Sequence, residues 1–293
     1  FVTNTGGRVT SVDGWTYGEE PSILTVTPAK GQAGTDVSIY GVSLRAHGNF
    51  VASVTLAGTE AAIDDQTNLF VNVVAAAAGA SSGDVVLTAD SGATVTSENG
   101  WEYVAPAEIT NVSPAAGQGG SSVTITGTTL LAGGSDITEV TLGGVKATIV
   151  QYSNTKVVVK ANAASTLGVG DIRLTIDSGA FIVHEDSWTY LVAGDINLVD
   201  PASGQHGTTV SIYGTGLFGG GSGIASITLA GTEVESRGLE VSDTRIDVVA
   251  AAADAVTDDV TIGADTGAVT TRPDGWTYVS VGVIDEAVPA EGQ

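Results

Sequence analysis

The sequence predicts an all-β chain of tandem two-sheet β-sandwich domains, and three observations carry that prediction. Tryptophan recurs on a fixed step, at Trp15, Trp101, Trp188 and Trp276, with intervals of 86, 87 and 88 residues, each time inside DGWTY, NGWEY, DSWTY or DGWTY. Two further phrases keep the step: PAKGQ, PAAGQ, PASGQ and PAEGQ from Pro28, Pro114, Pro201 and Pro289, and TLAG or TLGG from Thr55, Thr141 and Thr228. Between these markers aliphatic and polar residues alternate at period two, the spacing of a strand with one buried face. Three independent markers on one period define an internal repeat, and the repeat decides the architecture.

Within a period, Val71 and Val73 match Val157 and Val159, and Ile246 and Val248, while Asn72 and Asp247 are expected to face out. In the next strand Val85, Leu87 and Ala89 match Ile172, Leu174 and Ile176, and Val260, Ile262 and Ala264. Asp90-Ser91-Gly92, Asp177-Ser178-Gly179 and Asp265-Thr266-Gly267 then supply tight-hairpin chemistry. The alanine-rich stretches 75–78 and 250–253 are too short to stand as helices and end at Gly79 and Asp254, so they read as connections between sheets. The closing strand places Trp101 and Tyr103, Trp188 and Tyr190, Trp276 and Tyr278, and Trp15 and Tyr17, two apart on one face. These eight side chains are read as the repeated structural core, with a sugar-stacking platform as the alternative. About seven short strands in a period of this length make a sandwich of two packed sheets.

The phrase Ile196-Asn197-Leu198-Val199-Asp200-Pro201-Ala202-Ser203-Gly204-Gln205-His206-Gly207-Thr208-Thr209-Val210-Ser211-Ile212-Tyr213-Gly214-Thr215-Gly216-Leu217, followed by I-x-x-I-T-L-A-G from Ile224 to Gly231, resembles the IPT/TIG immunoglobulin-like domains, and it recurs in all three full repeats. The resemblance implies immunoglobulin-like sandwiches. Such domains occur in bacterial and protist surface proteins, plexin-like receptors, Rel-type transcription factors and as accessory modules of starch-acting enzymes. The cysteine-rich neighbours of the receptors and the basic loops of the DNA-binding members are missing here, which leaves the likeness to tandem surface arrays.

Composition narrows the function classes. Ten basic residues against 33 acidic ones give a net charge of −23, with 40 glycines and neither cysteine nor methionine in 293 residues. That sign excludes phosphate-backbone recognition and attraction to anionic lipid. No apolar run reaches the ~18–20 residues needed to insert across a bilayer. Without cysteine there are no disulfides and no thiolate metal sites. Phe1 is not a natural start, and the sequence reads as a mature or excerpted segment. An acidic, glycine- and threonine-rich β protein fits an extracellular or cell-surface location.

Motifs with the letters of known chemistry lack the surroundings which that chemistry needs. Gly214-Thr215-Gly216-Leu217-Phe218-Gly219 has the letters of a dinucleotide loop, but glycines and a strand follow where a helix is required. Gly79-Ala80-Ser81-Ser82-Gly83 has the letters of a nucleophile elbow, but a strand follows the serine. His47, His184 and His206 sit at non-equivalent repeat positions and do not make a zinc set. Calcium is the remaining cofactor candidate, through Glu19-Glu20, Asp64-Asp65 and Asp258-Asp259, although no D-x-D-x-D-G loop accompanies them. Asn111, in Asn111-Val112-Ser113, is the candidate N-glycosylation site, with Pro114 behind it. No catalytic residue is assigned and the chain is read as no enzyme.

The expected organisation is a C-terminal piece of a module over 1–20, complete modules over 21–104, 105–192 and 193–280, and the first strand of another over 281–293. Short linkers leave little slack and imply a semi-rigid rod. The two end pieces cannot build cores alone. They are expected to be completed by continuation of the array, or by neighbouring copies in a homopolymer through head-to-tail strand addition. The leading expectation is an extracellular structural fibre. The alternative is an adhesin or stalk that binds glycans or a receptor through the loops near Arg45–Phe50, Leu131–Asp136 and Phe218–Gly223. A third reading is an accessory module of a carbohydrate-acting enzyme.

Overall fold

In the computed structural model the described residues are 19–236 and 240–282, and they contain strands, turns and loops but no helix. The expectations for 1–17 and for the last phrase, including Trp15, Tyr17 and Pro289, fall outside those residues.

The first repeat shows how the phrases become strands. Its strands are β1 (Ser22–Thr27), β2 (Lys30–Gly31), β3 (Asp36–Val42), β4 (Val51–Leu56), β5 (Thr59–Gln66), β6 (Phe70–Val74), β7 (Ser81–Ala89) and β8 (Thr94–Tyr103). They pair in the order β1-β3-β6-β5-β4-β7-β8-β2. β5 pairs with β4 through Thr59–Ala61 and with β6 through Ala62–Gln66, so it passes from one layer of the sandwich to the other. The second repeat divides this passage into Val145–Lys146 and Thr148–Tyr152, and its layers are separate sheets of five and four strands. The third forms sheets of three and five strands.

The alternation read from the sequence is the alternation of burial. Val71, Val73, Val85, Leu87 and Ala89 are buried, and so are their counterparts in both later repeats. Each fully buried Val, Leu or Ile contributes about 1.5–3 kcal/mol relative to exposure. The alanine-rich stretches after β6 and after Val249 are extended connections. One expected outward residue turns out to be buried. Asp247 is only 9% exposed, because Arg245 grips both its carboxylate oxygens at 2.9 Å while the same guanidinium lies 5.4 Å from the Tyr213 ring centre. The side chain does leave the core face, as the period requires, but a charged partner covers it.

The TLAG marker is a hairpin signal as well as a strand. Ala57 and Gly58 connect β4 to β5 with φ of 46° and 81°, and Gly143-Gly144 and Ala230-Gly231 repeat those signs. Two successive positive φ values form the two-residue turn whose twist matches a β-hairpin.

Two compact units are distinguished. The first holds the described residues up to Pro106 together with the loops Ala132–Asp136 and Ile176–Ala180. The second holds Ala107–Leu131, Ile137–Thr175 and the described residues from Phe181 onward.

Candidate functional site

The two most regular sequence phrases meet in space. The PAxGQ segment pairs in parallel with the W-x-Y strand, with Gly31 opposite Tyr103, Gly117 opposite Tyr190 and Gly204 opposite Tyr278. Val104, Leu191 and Val279 donate their N–H groups to Gly31, Gly117 and Gly204 carbonyls at 2.9, 2.8 and 2.9 Å. Behind this pairing the tryptophans plug the core. Trp101, Trp188 and Trp276 are 1%, 0% and 0% exposed, and each meets its tyrosine edge to face at 5.5–5.6 Å. With no ring face in solvent these tryptophans cannot stack on a sugar. Their indole N–H groups are buried without an acceptor in all three repeats. Burial pushes the hydroxyls of Tyr103, Tyr190 and Tyr278 above the ordinary phenol value.

The glycine of the phrase is required by the residue four positions later. A Cβ at Gly117 would stand 2.5 Å from Ser121 Oγ, and one at Gly204 would stand 2.5 Å from Thr208 Oγ1. Those hydroxyls accept the next N–H: Gln32 donates to Thr35, Gln118 to Ser121 and Gln205 to Thr208, each at 3.1 Å. The glutamine side chain then faces along the chain. In the second unit Gln118 Oε1 accepts the N–H of Gly194, the residue that leads into the third repeat.

The third repeat is built directly on this face. The Ser122 N–H donates to the Thr266 carbonyl at 2.7 Å. A Cβ at Gly220 would stand 2.8 Å from Leu191 Cδ1 and 3.1 Å from Gly117 Cα, so the Phe218–Gly223 loop rests on the GQ phrase. Gln118 and Ser121 are 4% and 0% exposed as a result. In the first unit the same parts recur, with the Asp36 N–H donating to the Ser178 carbonyl at 2.8 Å and a Cβ at Gly133 standing 2.9 Å from Gly31 Cα. Two of the three loops expected to meet a ligand, Leu131–Asp136 and Phe218–Gly223, are thus engaged inside their units around Gly133 and Gly220. Glycine there permits backbone-to-backbone approach.

A carboxylate clamps each loop. Asp90 accepts from Asn49 N–H and Nδ2 at 2.8 and 2.9 Å, Asp177 from Ser135 N–H and Oγ at 3.0 and 2.5 Å, and Asp265 from Ser222 N–H and Oγ at 3.1 and 2.7 Å. These side-chain hydrogen bonds, with backbone N–H groups beside them, hold all three acids below the ordinary carboxylate range. A second set explains the D/N of D/N-G/S-W. Asn99, Asp186 and Asp274 take φ of 50°, 50° and 49°, and their N–H groups donate to Asp84, Asp171 and Asp259 at 2.8, 2.9 and 3.0 Å. Left-handed backbone favours Asn and Asp among residues with a Cβ.

The remaining candidates are dispersed. Among the described residues no group of three or more His, Asp or Glu side chains could hold a metal ion. Asp65 and Asp258 accept the N–H of the next residue, Gln66 and Asp259, and Glu19 and Glu20 are exposed. His47 lies in the first-repeat loop, His184 on the Phe181–Tyr190 strand and His206 just after the third GQ phrase. Ser81 opens β7, and Gly214 to Gly219 lead through a turn to the strand Ile224–Leu229. Asn111 is exposed on the strand Glu108–Ser113. No described helix is long and apolar enough to cross a membrane.

No curated protein matches the chain. Among solved structures, the plexin A4 full extracellular region is 18% identical with a TM-score of 0.49, over 94% of this chain and 26% of that one. A Bacteroides ovatus SGBP-B from a mixed-linkage glucan utilization locus, in complex with a mixed-linkage heptasaccharide, is 16% identical with a TM-score of 0.27, over 90% and 70%. The eight N-terminal Ig domains of the Down Syndrome Cell Adhesion Molecule are 11% identical with a TM-score of 0.23, over 88% and 35%. The chain therefore spans about a quarter of the plexin ectodomain to which it is similar. The model of the IPT/TIG domain matches residues 107–190 and 195–290, together more than half of the sequence, and the first repeat carries the same phrases on the same strands. With tandem matches to that model over an all-β chain of repeated sandwiches, the protein belongs to the IPT/TIG domain family.

Proposed function

We propose that the chain is part of an extracellular structural array, with modules at 21–104, 105–192 and 193–280 and incomplete ones at 1–20 and 281–293, whose work is mechanical and not catalytic. The observation that carries this reading is the way the third repeat is built on the second: linker and hairpin turn bond to one end face, the loop packs against it, and no long linker separates them. The acidic surface keeps such repetitive material soluble outside the cell. The array extends either by further repeats in the chain or by neighbouring copies. Electron microscopy of the intact gene product tests it: long fibres with a regular repeat are expected, and dispersed short particles at working concentration overturn it.

A binding role is the second reading, and a notch of about 390 Å³ within the second unit favours it. The notch lies between Gln118, Asn162, Leu167, Tyr190 and Val269 and mixes amides with apolar surface, a lining that fits a sugar. Glycan-array binding that is lost on Asn162→Ala supports it; an array without signal removes it.

A further inference from the structure

The third repeat ends on the same parts that the second uses to hold its successor. Gly204 sits opposite Tyr278, Gln205 N–H bonds Thr208 Oγ1, and Gln205 Oε1 accepts the Gly282 N–H at 3.3 Å, as Gln118 accepts that of Gly194. What differs is cover. Gln118 and Ser121 are buried, whereas Gln205 is exposed, Thr208 is half-buried, and Val279 and Val281 are 44% and 69% exposed. The chain thus carries a preset junction face beside an occupied one of the same design.

The occupied faces also show what they accept. Each receives a loop with glycine three positions after a buried leucine: Gly133 after Leu130 and Gly220 after Leu217, with φ of 88° and 84°. A Cβ at either position would meet the backbone of the GQ glycine at 2.9 or 3.1 Å, contacts that only a shift of backbone could relieve. The first repeat breaks the pattern. Three positions after Leu44 stands His47, exposed, with φ of 64°.

We propose that the end face formed by Ser203–Thr208 and Val279–Gly282 is a docking surface for a further IPT/TIG repeat that carries glycine at the Gly220 position. This rests on the array reading above and refines it: extension through this face is by another glycine-bearing repeat.

The test lengthens the full chain by a second copy of residues 195–282 placed after Gly282, and follows hydrogen exchange at the Thr209 amide. Thr209 is the counterpart of Asp36 and Ser122, whose N–H groups are taken by the incoming hairpin turn. With Gly220 retained in the appended repeat, Thr209 exchange should slow at least about tenfold against the original chain. With Gly220→Ala or Gly220→His in the appended repeat the slowing should vanish, while protection of the amide after the appended tryptophan reports that the repeat still folds. No slowing with glycine overturns the docking surface, and equal slowing in all three overturns the glycine requirement. Either result leaves fibres of the intact product, if seen, as support for the array; slowing without such fibres sinks the array reading alone. If the appended variants do not fold, Gly220→Ala in the original chain decides: Ser122 exchange should rise at least about tenfold, and unchanged exchange overturns the requirement.

Discussion

Gln118 and Gln205 occupy the same place in the same phrase, make the same backbone bond to a hydroxyl three residues on, and accept from the same linker position, yet one is 4% exposed and the other lies in solvent. The phrase and its backbone bonds are the same in both repeats. The difference comes from the next repeat, which covers Gln118 with a loop and a hairpin turn. A short phrase can therefore specify the inside of a domain and also pre-build its joint to a neighbour.

The largest effects should not distinguish the two repeats. Trp188→Ala and Trp276→Ala each remove a fully buried ring beneath the phrase, and each should cost about 3–5 kcal/mol in chemical unfolding, the usual range for truncating a buried aromatic. Trp188→Phe and Trp276→Phe should cost markedly less, because the indole N–H has no acceptor to lose. A large gap between the two alanine variants would mean that the repeats differ inside, and the comparison would lose its base.

The glutamines should separate cleanly. Gln118→Ala leaves the Gly194 N–H without its acceptor in a covered site and should cost about 1–3 kcal/mol. Gln205→Ala acts at an exposed position and should stay within about 0.5 kcal/mol. Equal costs would show that the neighbour contributes nothing to the joint.

Much of this was legible beforehand, and what was not has a common cause. Alternation at Val71 and Val73, or at Ile172 and Leu174, reports burial within one sandwich, so the fold class and core faces could be read from spacing. The repeated Trp and Tyr were visible for the same reason. Period two puts Asp247 off the core face, as the structure has it, but cannot say that Arg245 will cover it. Spacing alone places the loops at Leu131–Asp136 and Phe218–Gly223 on the surface, where a ligand could meet them. Their role depends on tertiary proximity to Gly31 and Gly117, about a hundred residues earlier in the chain. The one available signal was glycine at two of three equivalent positions, with His47 at the third.

The smallest effect concerns the acid clamps, and it bears on cover directly. Asp265 holds Ser222 and with it the loop resting on Gly117; Asp90 holds Asn49 in the loop of the first repeat. Hydrogen bonds from Ser222 and Asn49 lower the folded values of these carboxyls, whereas an unfolded aspartate titrates near ~3.9. A lowered folded value means that the folded state binds the proton less readily, so the clamp stabilises fully above the unfolded value and loses that contribution as pH falls through the folded one. Both clamps should therefore hold at neutral pH and fade below about pH 4. Asp265→Asn should flatten the acid limb of thermal stability slightly and raise Ser122 amide exchange at neutral pH, whereas Asp90→Asn should flatten the same limb and leave Ser122 unchanged. If both variants moved Ser122 alike, the loop over Gly117 would not be what covers it, and the contrast between the occupied and the exposed face would need another cause.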